Sequence, residues 1–390
     1  MKNKNWVWFI LAFSALAFAA EWLNGIFKLL DFEVYYRTAT RILNGEELYR
    51  IYADDYYIFK YAPSSGIYFI PFAFFSLATA KIVYWIFLTI ALLTGFHFLQ
   101  QLHAHHQFSK SKLIILSFLP VLMHTHLEFR LGQVNMLLMF LYILFYYFLK
   151  KEKNLASGSL LAMSIFIKPF GLIFLPYLVL KKEYKTIGFF VLTFFVIALL
   201  PFIFYPEVSQ FSKLHASYFN ELKIELGNKQ DLLAGANHTI FSVLARLTPL
   251  QFILQSTIAK SIYQLFVLAS LGFGFLFLMF HPKSKSDSLL HISLLISLIP
   301  LLAFTSDNAF IFQLPLIMWL MNQFSLFSKF QKILFVLACV FIGGNIYDLV
   351  TPKVHHFLAD ISIYSIGAML LIYLAFSFKW TGKAINSSSL

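Results

Sequence analysis

Apolar runs of roughly 20 residues, the length a helix needs to cross a bilayer, recur along almost the whole of this chain. Lysine clusters punctuate them. Backbone N–H and C=O groups in such runs have no water to bond, so each run must close its own hydrogen bonds as a helix. Composition agrees: 59% of the 390 residues are hydrophobic and 12% are charged, against about a quarter charged in soluble domains. Forty-eight Phe and 20 Tyr suit lipid-facing and interfacial surfaces. The expected fold is all-α, a polytopic transmembrane helical protein with about 10–13 membrane segments. The single cysteine, Cys339, excludes an intramolecular disulfide framework and a cysteine metal cluster. The net charge of +12 resides in the lysine pairs between apolar runs, which reads as membrane anchoring and not as nucleic-acid binding.

The first run covers residues 6–29. Its Ala17-Phe18-Ala19 resembles a signal-peptide end, but apolar character resumes from Trp22 to Leu30, so an uncleaved span is expected. Further runs lie at 81–101, 113–125, 136–149, 187–205, 256–280, 288–304, 309–322, 331–348 and 361–378. Two segments are imperfect. Residues 64–77 are short and carry Pro71; residues 155–180 are interrupted at Lys168-Pro169-Phe170-Gly171, which implies a helical hairpin or a broken helix. If both return to the side they start from, Lys2 and Lys4 and the clusters Lys110/Lys112, Lys150/Lys151/Lys153, Lys181/Lys182/Lys185, Lys283/Lys285, Lys329/Lys332 and Lys379/Lys383 all fall inside. The arginines Arg37, Arg41, Arg50, Arg130 and Arg246 then fall outside. The expected organisation is one domain over 1–390: first span 1–30, a long outer loop 31–63, a helical core 64–205, a second outer loop 206–236 and C-terminal helices 237–390.

The loop 31–63 is the longest polar run and holds six of the 18 acids, namely Asp31, Glu33, Glu46, Glu47, Asp54 and Asp55. It is too long and too aromatic for a connector. Asp31 stands where the first span leaves the membrane; partial desolvation there raises a carboxylate's basicity toward that of a general base. Taken alone, it reads first as a helix-end or N-cap aspartate for an amphipathic stretch from Phe32 to Leu43; the motifs further along favour the base. Lys60, before Tyr61-Ala62-Pro63, is a candidate phosphate ligand or an interfacial anchor. Arg130, Gln133 and Asn135 open the 136–149 span, and an Arg fork suits phosphate oxygens. Lys168, inside an apolar run, must snorkel or meet an anion. Asn237-His238-Thr239 opens a short apolar helix ending near Arg246, where free N–H groups favour anions. Asp307 in Ser306-Asp307-Asn308 is a turn aspartate or a second candidate base. His103-Ala104-His105-His106 and His355-His356 lack a fixed ligand geometry, and no metal site is expected.

Together these residues resemble glycosyltransferase family 87, the DUF2029 group of GT-C membrane enzymes related to polyprenyl-phosphate-mannose mannosyltransferases. The resemblance rests on Asp31-Phe32-x-x-Tyr35-Tyr36, Leu48-Tyr49, Lys60-Tyr61-x-Pro63, Gly132-Gln133-x-Asn135, Lys168-Pro169, and Asn237-x-Thr239 with Arg246 downstream. It covers about residues 6 to 320. The chain departs from the pattern at Asn237-His238-Thr239, where the family often has Asn-Gln-Ser. It departs again at Thr305-Ser306-Asp307-Asn308-Ala309-Phe310, which lacks the family's Pro, Trp and His. His238 is the candidate substitute for that histidine.

The resemblance implies a GT-C fold and a hexosyltransferase. The donor would be a polyprenyl-monophosphate sugar, with mannose the guess, and the acceptor a lipid-linked or envelope glycan. Transfer would invert configuration without a metal or other cofactor. Asp31 would be the general base; Lys60, Arg130, Lys168 and His238 would bind donor phosphate; Tyr35, Tyr36, Gln133, Asn135, Asn237 and Asp307 would bind substrate. The setting would be a bacterial cytoplasmic membrane, with the active site on its extracytoplasmic side. The alternative is a lipid-linked saccharide flippase or transporter, for which two related halves and mid-membrane charges are expected; no clear internal repeat is evident. A non-catalytic scaffold would not need the Asp, Arg, Lys and Asn set.

Overall fold

The computed structural model describes residues 5–49, 54, 58–103, 108–228, 231–234, 237–252, 256–281, 287–347 and 349–380, and every regular element among them is helical. Lys2, Lys4, Arg50, Asp55, His105, His106, Lys283, Lys285 and Lys383 lie outside the described residues. Five helices are long and apolar enough to cross a membrane: Asn5–Leu23, Leu77–Leu102, Lys110–Leu131, Tyr184–Ile203 and Thr257–Phe280. Pro352–Asp360 and Ile363–Ser377, bent by 52°, make a sixth if taken as one span. Asn135–Lys150, Asn154–Ile167, Pro169–Leu180 and Ser288–Leu302 are apolar but shorter.

The breaks follow the chemistry of the chain. The first helix stops at Leu23, short of the expected residue 29, and the chain turns through Gly25 and Leu29, both at positive φ. The 64–77 segment is two short helices, Pro63–Ile67 and Ile70–Ala73, each with proline in its first turn. The 155–180 segment is a broken helix. Lys168 is extended (φ −144°, ψ 136°) between Asn154–Ile167 and a 3-10 turn beginning at Pro169, as steric exclusion of the residue before proline from the helical region demands.

Two polar stretches that read as loops are helical. His126 to Leu131 continues the Lys110–Leu131 helix, and much of 206–236 is the helix Val208–Asn228. Both are rich in residues with good helix propensity. The polar positions there have protein partners: His126 meets Glu21 at 3.0 Å, and Lys60 pairs with Glu225.

The chain divides into two compact units. One comprises Val7–Leu99 with His126–Gln230; the other comprises Met1–Trp6, Gln100–Thr125 and Asp231–Leu390. In the first, the N-terminal span docks on Leu77–Leu102 through a small polar knot. Ser14 Oγ lies 2.7 Å from Thr89 Oγ1 and accepts from Trp85 Nε1 at 3.0 Å. The helices Asn154–Ile167 and Tyr184–Leu199 approach at Gly158, where an added Cβ would stand 2.6 Å from Phe190 N and Thr186 O. Thr186 Oγ1 donates to Asn154 Oδ1 at 2.9 Å, and Ser159 meets Thr193 at 2.9 Å. Small residues and interhelical hydrogen bonds are what hold helices together where lipid removes the hydrophobic drive. In the second unit, Gly343 makes a comparable approach to Pro120, its would-be Cβ 2.5 Å from the Pro120 carbonyl oxygen.

Gly158→Leu should therefore force these helices apart and destabilise the protein by at least the ~1–3 kcal/mol typical of overpacking, because backbone atoms cannot rotate away. Gly188→Leu, on the same helix pair but with nothing within 4 Å of its Cβ position, should leave stability almost unchanged. Thermal unfolding of the two variants in detergent checks this, and equal losses would refute it.

Candidate functional site

The helix Leu30–Leu43 follows the turn at Leu29 and is amphipathic, burying Phe32, Val34, Tyr35, Thr38, Ala39 and Ile42. Phe32 stacks on Tyr84 with ring centroids 4.2 Å apart. Against that face lies Gly132 at φ +69°, where an added Cβ would meet Phe32 Cβ at 2.7 Å and Leu29 Cβ at 3.2 Å. Both the dihedral and the space require glycine. The turn it makes, with Gln133 N donating to Glu128 O at 3.0 Å, delivers Gln133 to the helix: its Nε2 donates to Asp31 Oδ2 at 2.6 Å. Asp31 is not the helix cap; that position is Leu29, and no side chain caps it.

Asn135 begins the helix Asn135–Lys150 and is buried. Its Oδ1 accepts from Lys168 Nζ at 2.8 Å, and its Nδ2 donates to Glu128 Oε1 at 2.8 Å. The helix break at Lys168 makes this possible, by releasing the lysine from the helical path. The same ammonium lies 5.8 Å from the Tyr61 ring centroid. Tyr61 OH meets Tyr35 OH at 3.0 Å, and its carbonyl accepts from Tyr49 OH at 2.6 Å. Asp31, Tyr35, Gln133, Asn135 and Lys168 thus belong to one side-chain cluster, with Tyr61 and Glu128 added.

Burial raises the Asp31 carboxyl above the ordinary aspartate range, and the Gln133 hydrogen bond and the charges of Lys168 and Lys60 oppose that rise. Two residues on, burial acts upward on Glu33 too, but Lys81 at 2.9 Å and Arg37 at 2.5 Å hold Glu33 below its usual value. Environments that drive neighbouring carboxyls apart suit them to different work: the raised Asp31 carboxyl is the candidate base of the two, and Glu33 is held as an ion-paired anion. Burial raises the Tyr35 and Tyr61 phenols well above their usual value, so both remain protonated hydrogen-bond donors.

Other candidates in this unit are engaged elsewhere. Lys60 is exposed and pairs with Glu225. Arg130 lies 3.8 Å from Glu21, which also holds His126. Tyr36 OH donates to Phe75 O at 2.9 Å.

Asn237, His238 and Asp307 belong to the other unit. Thr239 caps the helix Ile240–Leu247, and Asn237 Oδ1 accepts from Thr239 N at 3.1 Å and Thr239 Oγ1 at 2.7 Å. His238 is buried between two partners, Asp307 Oδ1 at 2.6 Å from Nε2 and Ser362 Oγ at 2.9 Å from Nδ1. Arg246 Nη2 donates to Ser362 Oγ at 2.5 Å and to Asn237 O at 3.1 Å. Burial acts upward on Asp307, but the His238 contact outweighs it and holds the carboxyl below its usual range. Both imidazole nitrogens are occupied, so an added ligand must displace Asp307 or Ser362. Sequence reasoning missed Ser362, which lies in an apolar run without a signal. It also missed Glu128, whose only signal was a carboxylate in a polar stretch seven positions before Asn135. Among the described residues, no group of three or more His, Cys, Asp or Glu is placed to hold a metal ion.

A family model described as glycosyltransferase family 87 matches residues 59–305, more than half of the chain. The matched stretch holds Lys60, Arg130, Gln133, Asn135, Lys168, Asn237 and His238; Asp31, Tyr35 and Tyr36 precede it, and Asp307 follows it. No curated protein matches the chain.

A base acts only when ionised, so if Asp31 is the base its raised pKa moves the acid limb of the pH–rate profile upward. Gln133→Leu removes a bond that favours the carboxylate and should move the limb further toward neutral pH. Lys168→Met, which removes an opposing charge, should move it in the same direction. Transfer rates measured from acid to neutral pH check this, and an unmoved limb in both variants would eliminate Asp31 as the titrating group.

Proposed function

The chain belongs to glycosyltransferase family 87, and we propose that it moves a hexose, mannose by analogy, from a polyprenyl-monophosphate donor to a lipid-linked or envelope glycan acceptor with inversion. The observation that carries this reading is the Asp31 carboxylate. It is desolvated, oriented by Gln133 and influenced by the Lys168 charge.

In this reading Asp31 accepts the proton of the acceptor hydroxyl as that oxygen attacks the anomeric carbon. The bond between that carbon and the phosphate oxygen breaks on the opposite face, and the phosphate leaves with the bonding pair. Lys168 offsets the charge that develops on the phosphate, an electrostatic contribution that grows toward the transition state. Gln133, Asn135 and the phenols of Tyr35 and Tyr61 supply hydrogen bonds for sugar hydroxyls. Lys60 and Arg130, exposed and each beside a carboxylate, act at longer range by attracting the anionic headgroup. No step is assigned to His238 or Asp307. The lysine distribution supports a cytoplasmic-membrane protein working on the extracytoplasmic side.

Asp31→Asn keeps the shape and a hydrogen-bond acceptor but removes the base. It should lower transfer by at least ~100-fold, the lower range for general-base catalysis, while the protein still inserts in the membrane. The assay is label transfer from a polyprenyl-phosphate hexose in membranes containing the wild type or the variant. Near-normal turnover by Asp31→Asn would reject the base assignment, and vesicle uptake of the lipid-linked sugar without transfer would favour a transporter.

A further inference from the structure

Glu128 is a fully buried carboxylate near the end of the Lys110–Leu131 helix, and the chemistry above does not use it. An unpaired charge in such a place is costly, so its partners are informative. Met136 N donates to Oε2 at 2.9 Å and Asn135 Nδ2 donates to Oε1 at 2.8 Å. The opposite end of the same amide, Asn135 Oδ1, accepts from Lys168 Nζ at 2.8 Å.

A side-chain amide has a donating end and an accepting end, and which way it faces is set by its neighbours. An ionised carboxylate only accepts and an ammonium only donates. Placed on either side of Asn135, they admit one orientation, with NH2 toward Glu128 and C=O toward Lys168. We propose that Glu128 is a positioning residue for this transferase: through Asn135 it holds the Lys168 ammonium in place and supplies its compensating negative charge.

The proposal rests on the role given to Lys168 in phosphate departure. It also accounts for how the lysine is charge-balanced without Glu128 touching it directly. A carboxylate paired directly with Lys168 would screen its charge from a departing phosphate; Glu128, placed beyond the Asn135 amide, balances that charge in the low-dielectric interior from one bond further away. Replacing Glu128 by glutamine lets the pair of amides rotate. Asn135 can then turn its NH2 toward the lysine, which brings two donors together and expels the ammonium.

The test uses the full chain in membranes or detergent. Trace acetylation by acetic anhydride, read by mass spectrometry, compares Lys168 with Lys60 as the internal reference. Glu128→Gln should raise Lys168 labelling several-fold with Lys60 unchanged, and Asn135→Ala, which removes the bridge but leaves the Met136 N–H contact, should do the same. In the transfer assay Glu128→Gln should lower kcat by up to ~100-fold, the scale of a misplacement near 1 Å, with little change in donor KM. Glu128→Gln/Lys168→Met should be no slower than Lys168→Met alone, because groups acting as a unit are not additive.

Unchanged Lys168 labelling in both Glu128→Gln and Asn135→Ala overturns the proposal, as do losses that multiply in the double variant. Labelling requires no turnover. A wild-type chain that transfers nothing from a polyprenyl-phosphate hexose therefore refutes the proposed function, while labelling still decides the relay. If Glu128→Gln does not fold, Asn135→Ala carries the same comparison.

Discussion

The packing of Leu29, Phe32 and Gly132 sets the geometry on which the Asp31 cluster depends. Leu29 and Phe32 are fully buried, and Leu29 adopts φ 44°, a conformation that costs an L-residue roughly 1–2 kcal/mol. Strain of that kind persists only where surrounding contacts over-determine it. Here Gly132 presses on both side chains from a turn that no larger residue fits. The same turn carries Gln133 to Asp31. A loosened contact would therefore act at two points, the start of the Asp31 helix and the hydrogen bond that orients its carboxylate.

A second constraint is the treatment of charge in a chain with so few charged residues. Glu33 sits between Lys81 and Arg37, and Arg41 forms a two-point bond with Asp54 at 2.5 and 2.7 Å. These pairs fasten the Leu30–Leu43 helix to its surroundings and leave little charge for chemistry. Asp31 differs because its direct partner is a neutral amide. Its charge is opposed by desolvation and supported by nearby lysines, which is how a carboxyl is tuned toward a base without being fixed as a permanent ion.

Much of this was legible in the residues, and the limits have physical causes. Helical class followed from hydropathy, because lipid leaves a backbone few options. The break at Lys168 followed from proline chemistry, and the helix beginning after Thr239 from its cap. Helix ends around His126 to Leu131 and the helix Val208–Asn228 were not legible, since polar residues signal a loop equally well when their partners, here Glu21 and Lys60, are remote in sequence. The clustering of Asp31 with Gln133 was foreshadowed only by resemblance: 102 residues separate them, and nothing local encodes the contact. The His238–Asp307–Ser362 chain is similar, spanning positions whose types are unremarkable until the backbone brings them together.

The family match begins at residue 59, so membership alone says nothing of Asp31. What ties that residue to the proposed chemistry is physical: Gln133 and Lys168, both inside the matched stretch, are among the groups that set its orientation and acidity. Gln133 reaches Asp31 from the turn at Gly132, and Lys168 is released by the break before Pro169. Two backbone irregularities thus converge on a carboxylate that precedes the matched region. An aspartate that merely ended a membrane span would need neither; the proposed base, accepting a proton beside a departing phosphate, needs both an orienting donor and a nearby cation.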